Sequence, residues 1–362
     1  MTFITILTLA GGLIILILGA EALVRGASKI AAALGISSVV IGLTVVAFGT
    51  SSPELAVCLQ SVFKGQPDIA LGNAVGSNIL NILFILGLAS LITPLVVEKQ
   101  LIKRDVPLMI LVSVVLLLFG LNGSIGRVEG LILFVGLIIY LYYIITYSRK
   151  ESKKFRELRK LEEDVKTHHG FKTWFIDIGL VSAGLVMLVV GSDLMLESAI
   201  TIARAFGISE LIIGLTLIAV GTSLPEVFTS IVASLHGEKD IAVGNLVGSN
   251  IFNIMAIIGL TGIFAPNGIR VLPDALSFDI PVMIGVAVIC FPIFYTQRMV
   301  SRWEGALLLL YYIIYSAFLI MRSSNSKFLP EFDSVILTFI LPLTVLTLFI
   351  LSYLSYRKQR KE

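Results

Sequence analysis

Charge is what this chain has least of. Asp, Glu, Lys and Arg make up 14% of the 362 residues against 57% hydrophobic, with a mean hydropathy of +0.98. That balance lies outside the range of soluble globular domains and leaves an integral membrane protein. A basic nucleic-acid-binding domain is excluded by the same numbers. Histidine occurs three times and cysteine twice, so a zinc or copper site built on His and Cys clusters has no material. Cys58 and Cys290 both fall inside apolar runs, where they read as buried thiols that say nothing about redox compartment. No HExxH or GxSxG pattern occurs, which argues against an intramembrane enzyme, and no cofactor is expected. A cleavable leader is not expected either, because the first apolar run begins at Phe3 with no basic stretch before it.

Long apolar runs are what the chain has in quantity. A helix needs about 20 residues to cross the hydrocarbon core. Runs of that order lie at 3–24, 37–63, 69–92, 106–121, 128–147, 173–194, 208–235, 241–264, 276–296, 303–321 and 334–356. The pattern predicts eleven transmembrane helices, the one from 106 being the shortest. Continuous runs rather than alternation argue against a barrel.

The 27 basic residues divide unevenly between alternate loops. Twenty-one lie on the set containing Arg25, Lys29, Lys99, Lys103, Arg104, the 148–172 segment, Lys239, Arg298, Arg302 and the C-terminal tail. Six lie on the other: Lys64, Arg127, Arg204, Arg270, Arg322 and Lys327. The positive-inside rule then places the N-terminus outside the cell membrane and the C-terminus in the cytoplasm, as an odd number of spans requires. The 148–172 segment reads as a cytoplasmic linker, either a solvated helix or a loop, ending in His168 and His169.

Internal repetition is the strongest signal. Residues 35–94 align without a gap on 207–266 at a constant offset of 172, with thirty of sixty positions identical. The same offset pairs Gly19 with Gly191 and Glu21 with Asp193. The repeat divides the chain into a first five-helix unit (1–147), the linker (148–172), a second five-helix unit (173–322) and an extra C-terminal helix with a basic tail (323–362). Five spans per unit forces the second copy to run inverted, an arrangement common among secondary transporters.

Within each copy, polar residues cluster where an ordinary span has none. "GTSSPE" at 49–54 and "GTSLPE" at 221–226 each put a threonine, a serine and a glutamate on one helical face, with a proline that predicts a break. "GNAVGSNILN" and "GNLVGSNIFN" add Ser77, Asn78 and Asn81, and Ser249, Asn250 and Asn253. Glycines 72 and 76 predict a close helix approach. A glutamate in a span faces a partner or a wet cavity, so Glu54 and Glu226 are functional candidates. The plainer readings are packing bonds for the asparagines and bonding of the hydroxyls to the carbonyl four residues back. Asp68 and Asp240 read as helix N-caps and stay outside the site. Together the copies offer hard oxygen ligands only, which suit calcium or sodium.

The paired motifs resemble the two alpha repeats of the sodium/calcium exchanger family, within the cation/calcium antiporter superfamily. The resemblance covers residues 1 to about 322. It implies an all-helical protein of two inverted five-helix repeats that exchanges sodium for calcium by alternating access, with the first and sixth helices sliding across the ligand-bearing bundle. It implies Glu54 and Glu226 as central cation ligands, with Thr50, Ser51, Ser77 and Asn81 from one half and Thr222, Ser223, Ser249 and Asn253 from the other. Some members, including the potassium-dependent branch, carry Asp at the position of Asn253, so exchange without potassium is the expectation here. A calcium/proton or potassium-dependent antiporter is the alternative, and a channel is disfavoured by the inverted repeats. The helix after 322 exceeds the family core of ten.

Overall fold

The computed structural model describes residues 3–159, 171–206, 219–295 and 298–324. The extra helix expected at 334–356 lies outside them, as do much of the linker and the start of the span expected at 208–235. The described residues form helices α1 (Phe3–Leu34), α2 (Ser38–Thr50), α3 (Ser52–Phe63), α4 (Pro67–Leu80), α5 (Val106–Gly120), α6 (Arg127–Arg159), α7 (Phe171–Ala205), α8 (Leu224–Leu235), α9 (Lys239–Phe252), α10 (Ile280–Tyr295) and α11 (Arg302–Ser323). Helices α4 and α9 continue through π-helical turns, Asn81–Leu86 and Asn253–Ile258, into Gly87–Ile92 and Gly259–Phe264. Among the described residues seven helices are long and apolar enough to span a membrane, and the bent pair α2–α3 makes an eighth. Helix α5 covers 15 residues and is entered without a break from the π-helical turn Leu101–Asp105, so its helical backbone is longer than its apolar run.

Three helices outrun their apolar stretches. Helix α1 continues to Leu34 rather than stopping near residue 24, so Arg25 and Lys29 sit on a helix and not in a loop. Their charges find partners there: Arg25 pairs with Glu21 one turn back, and Lys29 Nζ lies 3.9 Å from the buried Asp177 of α7. Helix α6 carries on to Arg159 and takes up the first part of the expected linker, and α7 runs to Ala205.

The inverted repeat organises the packing. Beyond the motifs, "DVPLMI" at 105–110 recurs as "DIPVMI" at 279–284 and "RVEG" at 127–130 as "RWEG" at 302–305. Glu129 accepts from the backbone N–H of Gly126, and Glu304 in the same way from that of Ser301. Two short antiparallel ribbons, the only strands among the described residues, tie the halves together. Leu95–Val96 pairs with Met299–Val300, and Ser124–Ile125 with Ile269–Arg270. They put the loops around 95 and 299 at one end of the bundle and those around 124 and 269 at the other, as the alternating loops require.

Helices α1 and α7 form an unusually close antiparallel pair. A methyl group at Gly12 would meet Gly191 O at 3.0 Å, one at Gly19 would meet Gly184 O at 3.0 Å, and one at Gly26 would meet Asp177 O at 2.9 Å. The contacts step by seven residues along both helices, so they form one continuous stripe. A second close crossing sets α9 on α2: added methyl groups at Gly244 and Gly248 would come within 2.7 Å of Val39 O and 2.8 Å of Leu43 Cα. The equivalent Gly72 and Gly76 have nothing within 4 Å. Their counterpart of α2 falls in 207–218, outside the described residues.

Candidate functional site

The site is built where the helices lose their regular backbone. The chain breaks at Ser51 (φ −83°, ψ 6°), and α2 and α3 meet at a bend of 42°. Ser223 marks the matching break (φ −94°, ψ 9°) between the turn Ala219–Thr222 and α8. The breaks fall two residues before Pro53 and Pro225, which start the next helices, a position where a missing N–H costs nothing. They turn the hydroxyls of Ser51 and Ser223 toward the middle of the bundle.

Every residue expected at the site is buried: Thr50, Ser51, Glu54, Ser77 and Asn81 from one half, Thr222, Ser223, Glu226, Ser249 and Asn253 from the other. They interlock across the repeat axis. Ser223 Oγ donates to Glu54 Oε1 at 2.9 Å, and Ser51 Oγ donates to Glu226 Oε1 at 3.0 Å. Each carboxylate is therefore held by a hydroxyl of the opposite half. Ser223 Oγ also lies 3.3 Å from Ser77 Oγ, close enough to accept from it. Serines 51 and 223 thus bond across the interface rather than back to their own helices.

The remaining oxygens are the informative ones. Glu54 Oε2, Glu226 Oε2, Asn81 Oδ1 and Asn253 Oδ1 are fully buried and accept no hydrogen bond. Ser249 lies beside Glu226, but its Oγ makes no bond of sound geometry. Leaving a buried acceptor unsatisfied costs about 1–3 kcal/mol, and more for a charged one. Two such pairs, related by the repeat, form a buried cluster of carboxylate and amide oxygens without partners. Among the described residues no group of three His, Cys, Asp or Glu converges, so the amides and hydroxyls complete the donor set.

Four asparagines support this cluster. Asn78 and Asn250 bond across the axis, Asn78 Nδ2 to Asn250 O at 3.3 Å and Asn250 Nδ2 to Asn78 O at 3.2 Å, the interhelical bond considered above. Asn73 and Asn245 were missed from sequence. Thr50 Oγ1 donates to Asn245 Oδ1 at 3.1 Å, and Thr222 Oγ1 lies 3.5 Å from Asn73 Oδ1. A signal existed: Asn73, Ser77 and Asn81 are spaced by four, as are Asn245, Ser249 and Asn253, which puts each trio on one helical face. Asp68 and Asp240 are not N-caps. Gln66 and Glu238 hold that position, and Asp240 falls in the first turn of α9, where the positive end of the helix dipole favours it.

The environment of the two broken helices differs. Around Glu226, α8 is buried from Leu224 to Val227 and again from Thr229 to Ser230 and from Val232 to Ser234. Helix α3 buries only Glu54, Cys58, Ser61 and Val62, and Phe63 at its end is 70% exposed.

The family model described as "Sodium/calcium exchanger protein" matches residues 4–146 and 176–321, which are the two repeats. The chain belongs to the sodium/calcium exchanger family. Sodium/calcium exchanger MaX1 of Methanosarcina acetivorans is 34% identical over 349 residues, 87% of this chain and 98% of the relative. Inner membrane protein YrbG of Escherichia coli is 39% identical over 280 residues, 77% of this chain and 85% of its own. Among solved structures, the sodium-calcium exchanger NCX_Mj superposes with a TM-score of 0.75 at 30% identity, covering 88% of this chain and 99% of that one. The exchanger described here is thus a multi-pass membrane protein with a cation/calcium antiporter fold, in a family of transporters rather than enzymes.

Proposed function

We propose that this exchanger moves calcium against sodium across the cell membrane by alternating access, without a requirement for potassium. The observation that carries the reading is the set of unsatisfied oxygens on Glu54, Glu226, Asn81 and Asn253, gathered from both halves at the breaks of two helices. Glu54 and Glu226 supply two negative charges, which one calcium neutralises. Asn81, Asn253, Ser77, Ser249, Thr50, Thr222, Ser51 and Ser223 complete a flexible shell of the kind calcium and sodium accept.

The same charges enforce exchange. Carrying two bare carboxylates through an occluded, low-dielectric state is costly, whereas the loaded site is neutral or nearly so. Only the loaded carrier switches. The α1–α7 pair, locked by its glycine seam, slides as one body over the ligand-bearing helices. Helix α8 is buried over more of its surface than α3. The basic-residue count predicts the N-terminus outside and the C-terminus in the cytoplasm.

Potassium independence rests on Asn81 and Asn253. Two amides leave two formal charges, enough for calcium but not for a potassium ion beside it. The test is calcium uptake into proteoliposomes under imposed sodium, potassium or proton gradients. Sodium alone should drive it, with choline in place of potassium on both sides. Flux that only potassium restores would overturn the reading of the amides, and flux driven by protons alone would make this a calcium/proton antiporter.

A further inference from the structure

The unsatisfied amide oxygens at the site point inward for a reason that can be followed back to the main chain. Backbone carbonyls can only accept. Asn250 Nδ2 donates to Asn78 O and Asn78 Nδ2 to Asn250 O, so neither side-chain amide can be turned over without setting oxygen against oxygen. Asn78 Nδ2 also lies 3.4 Å from Met283 Sδ, a second weak acceptor that favours the same orientation. With those amides fixed, their own Oδ1 atoms face outward as acceptors. Asn81 Nδ2 donates to Asn250 Oδ1 at 2.9 Å, and Asn253 Nδ2 donates to Asn78 Oδ1 at 3.0 Å. Each NH2 group of Asn81 and Asn253 is thereby fixed by a hydrogen bond to the opposite half, and their Oδ1 atoms are left buried without a partner. A chain of four donor-acceptor choices runs from two main-chain carbonyls to two oxygens.

We propose that Asn78 and Asn250 are positioning residues that hold the amides of Asn253 and Asn81 with their carbonyl oxygens toward the bound cation. This rests on the reading of the cavity as a calcium and sodium site. Without the brace either amide could rotate and present an NH2 group, which repels a cation. The arrangement also joins α4 to α9 directly, so the two helices keep one geometry while α1 and α7 move. Both braced amides stand at the first residues of π-helical turns, Asn81–Leu86 and Asn253–Ile258, irregularities often found at functional positions.

The test is a double-mutant cycle on calcium transport by the purified exchanger in proteoliposomes. Asn250→Ala should raise half-saturating calcium about 10-fold or more, the usual scale for losing a group that orients a metal ligand, with a smaller change in maximal rate. Asn81→Ala should do the same. Because Asn250 acts through Asn81, the double variant should be no worse in half-saturation than Asn81→Ala alone. Effects that multiply, or a monodisperse Asn250→Ala protein with unchanged half-saturation, would overturn the proposal. Should Asn250→Ala not fold, the unmutated protein decides. Infrared difference spectra of calcium-loaded against calcium-free exchanger, with asparagine carbonyls labelled by carbon-13, should show shifted side-chain carbonyl bands. Unshifted bands would show that amide oxygens do not face the ion. Glu54→Gln separates the two levels: retained flux sinks the cation site itself, whereas lost flux beside an unaffected Asn250→Ala sinks only the brace.

Discussion

Glu54 and Glu226 are each completely buried, and each spends one oxygen on a serine of the other half, keeping the second free. Removing either charge should abolish sodium-driven calcium flux, so Glu54→Gln and Glu226→Gln are expected to be inactive yet folded. Since a buried charge without a permanent counter-charge is destabilising, the melting temperature of the ion-free protein should stay level or rise. Near-normal flux in either variant would remove these residues from the site. Thr50→Val keeps the shape of the side chain but leaves Asn245 Oδ1 without the hydroxyl it now accepts from. The expected cost is about 1–3 kcal/mol of stability together with weaker calcium uptake, read by thermal unfolding and by flux on the same preparation. A variant with unaltered melting temperature would show that this hydrogen bond contributes nothing to stability.

The α1–α7 pair is where an element-level property can be isolated. Its glycines stand so close to the opposite backbone that a side chain at Gly19 or Gly184 would have to displace main chain, with Cβ contacts of 2.6–3.0 Å. Gly11, one residue from the seam, has nothing within 4 Å. Gly19→Leu and Gly184→Leu should therefore collapse the yield of monodisperse protein or stop transport, while Gly11→Ala should be close to normal, as measured by detergent size-exclusion and flux. Equal behaviour at Gly11 and Gly19 would mean that the seam has no part in transport. Such a stripe can be read in a sequence as glycines seven apart, but the partner cannot. Gly26 packs against Asp177 rather than another glycine, and only the antiparallel register reveals it.

For the whole molecule, the asymmetry of basic residues predicts which end faces the cytoplasm. Cross-helix contacts agree on the grouping: Ser28 Oγ donates to Glu238 Oε1 at 2.6 Å, Ser37 N donates to Ser148 Oγ at 3.0 Å, and Lys29 approaches Asp177, all at the end to which the basic loops belong. Arg322 pairs with Asp274 at 2.9 Å at the other end. Single cysteines at Ser152 and Lys361, in a background lacking Cys58 and Cys290, should resist an impermeant thiol reagent applied to intact cells. Labelling of Lys361→Cys alone would mean that the segment 334–356 does not cross the membrane.

Much of this molecule could be read from composition and periodicity. Apolar length specifies helices in lipid because each helix satisfies its own backbone, and a repeat with an odd number of spans implies inversion whatever the packing. Two glutamates in otherwise apolar runs marked the centre of the candidate site for the same energetic reason. What a one-dimensional reading cannot contain is pairing across the axis. That Ser51 holds Glu226 and Ser223 holds Glu54 was invisible, because each motif looks complete within its own helix. The roles of Asn73 and Asn245, and the division of the asparagines into braces and inward-facing oxygens, depend on which donor meets which acceptor between helices more than 140 residues apart. Helix ends shifted for a related reason: Arg25 and Lys29 resemble loop residues until the continued helix sets Glu21 one turn from Arg25 and tertiary packing brings Asp177 toward Lys29.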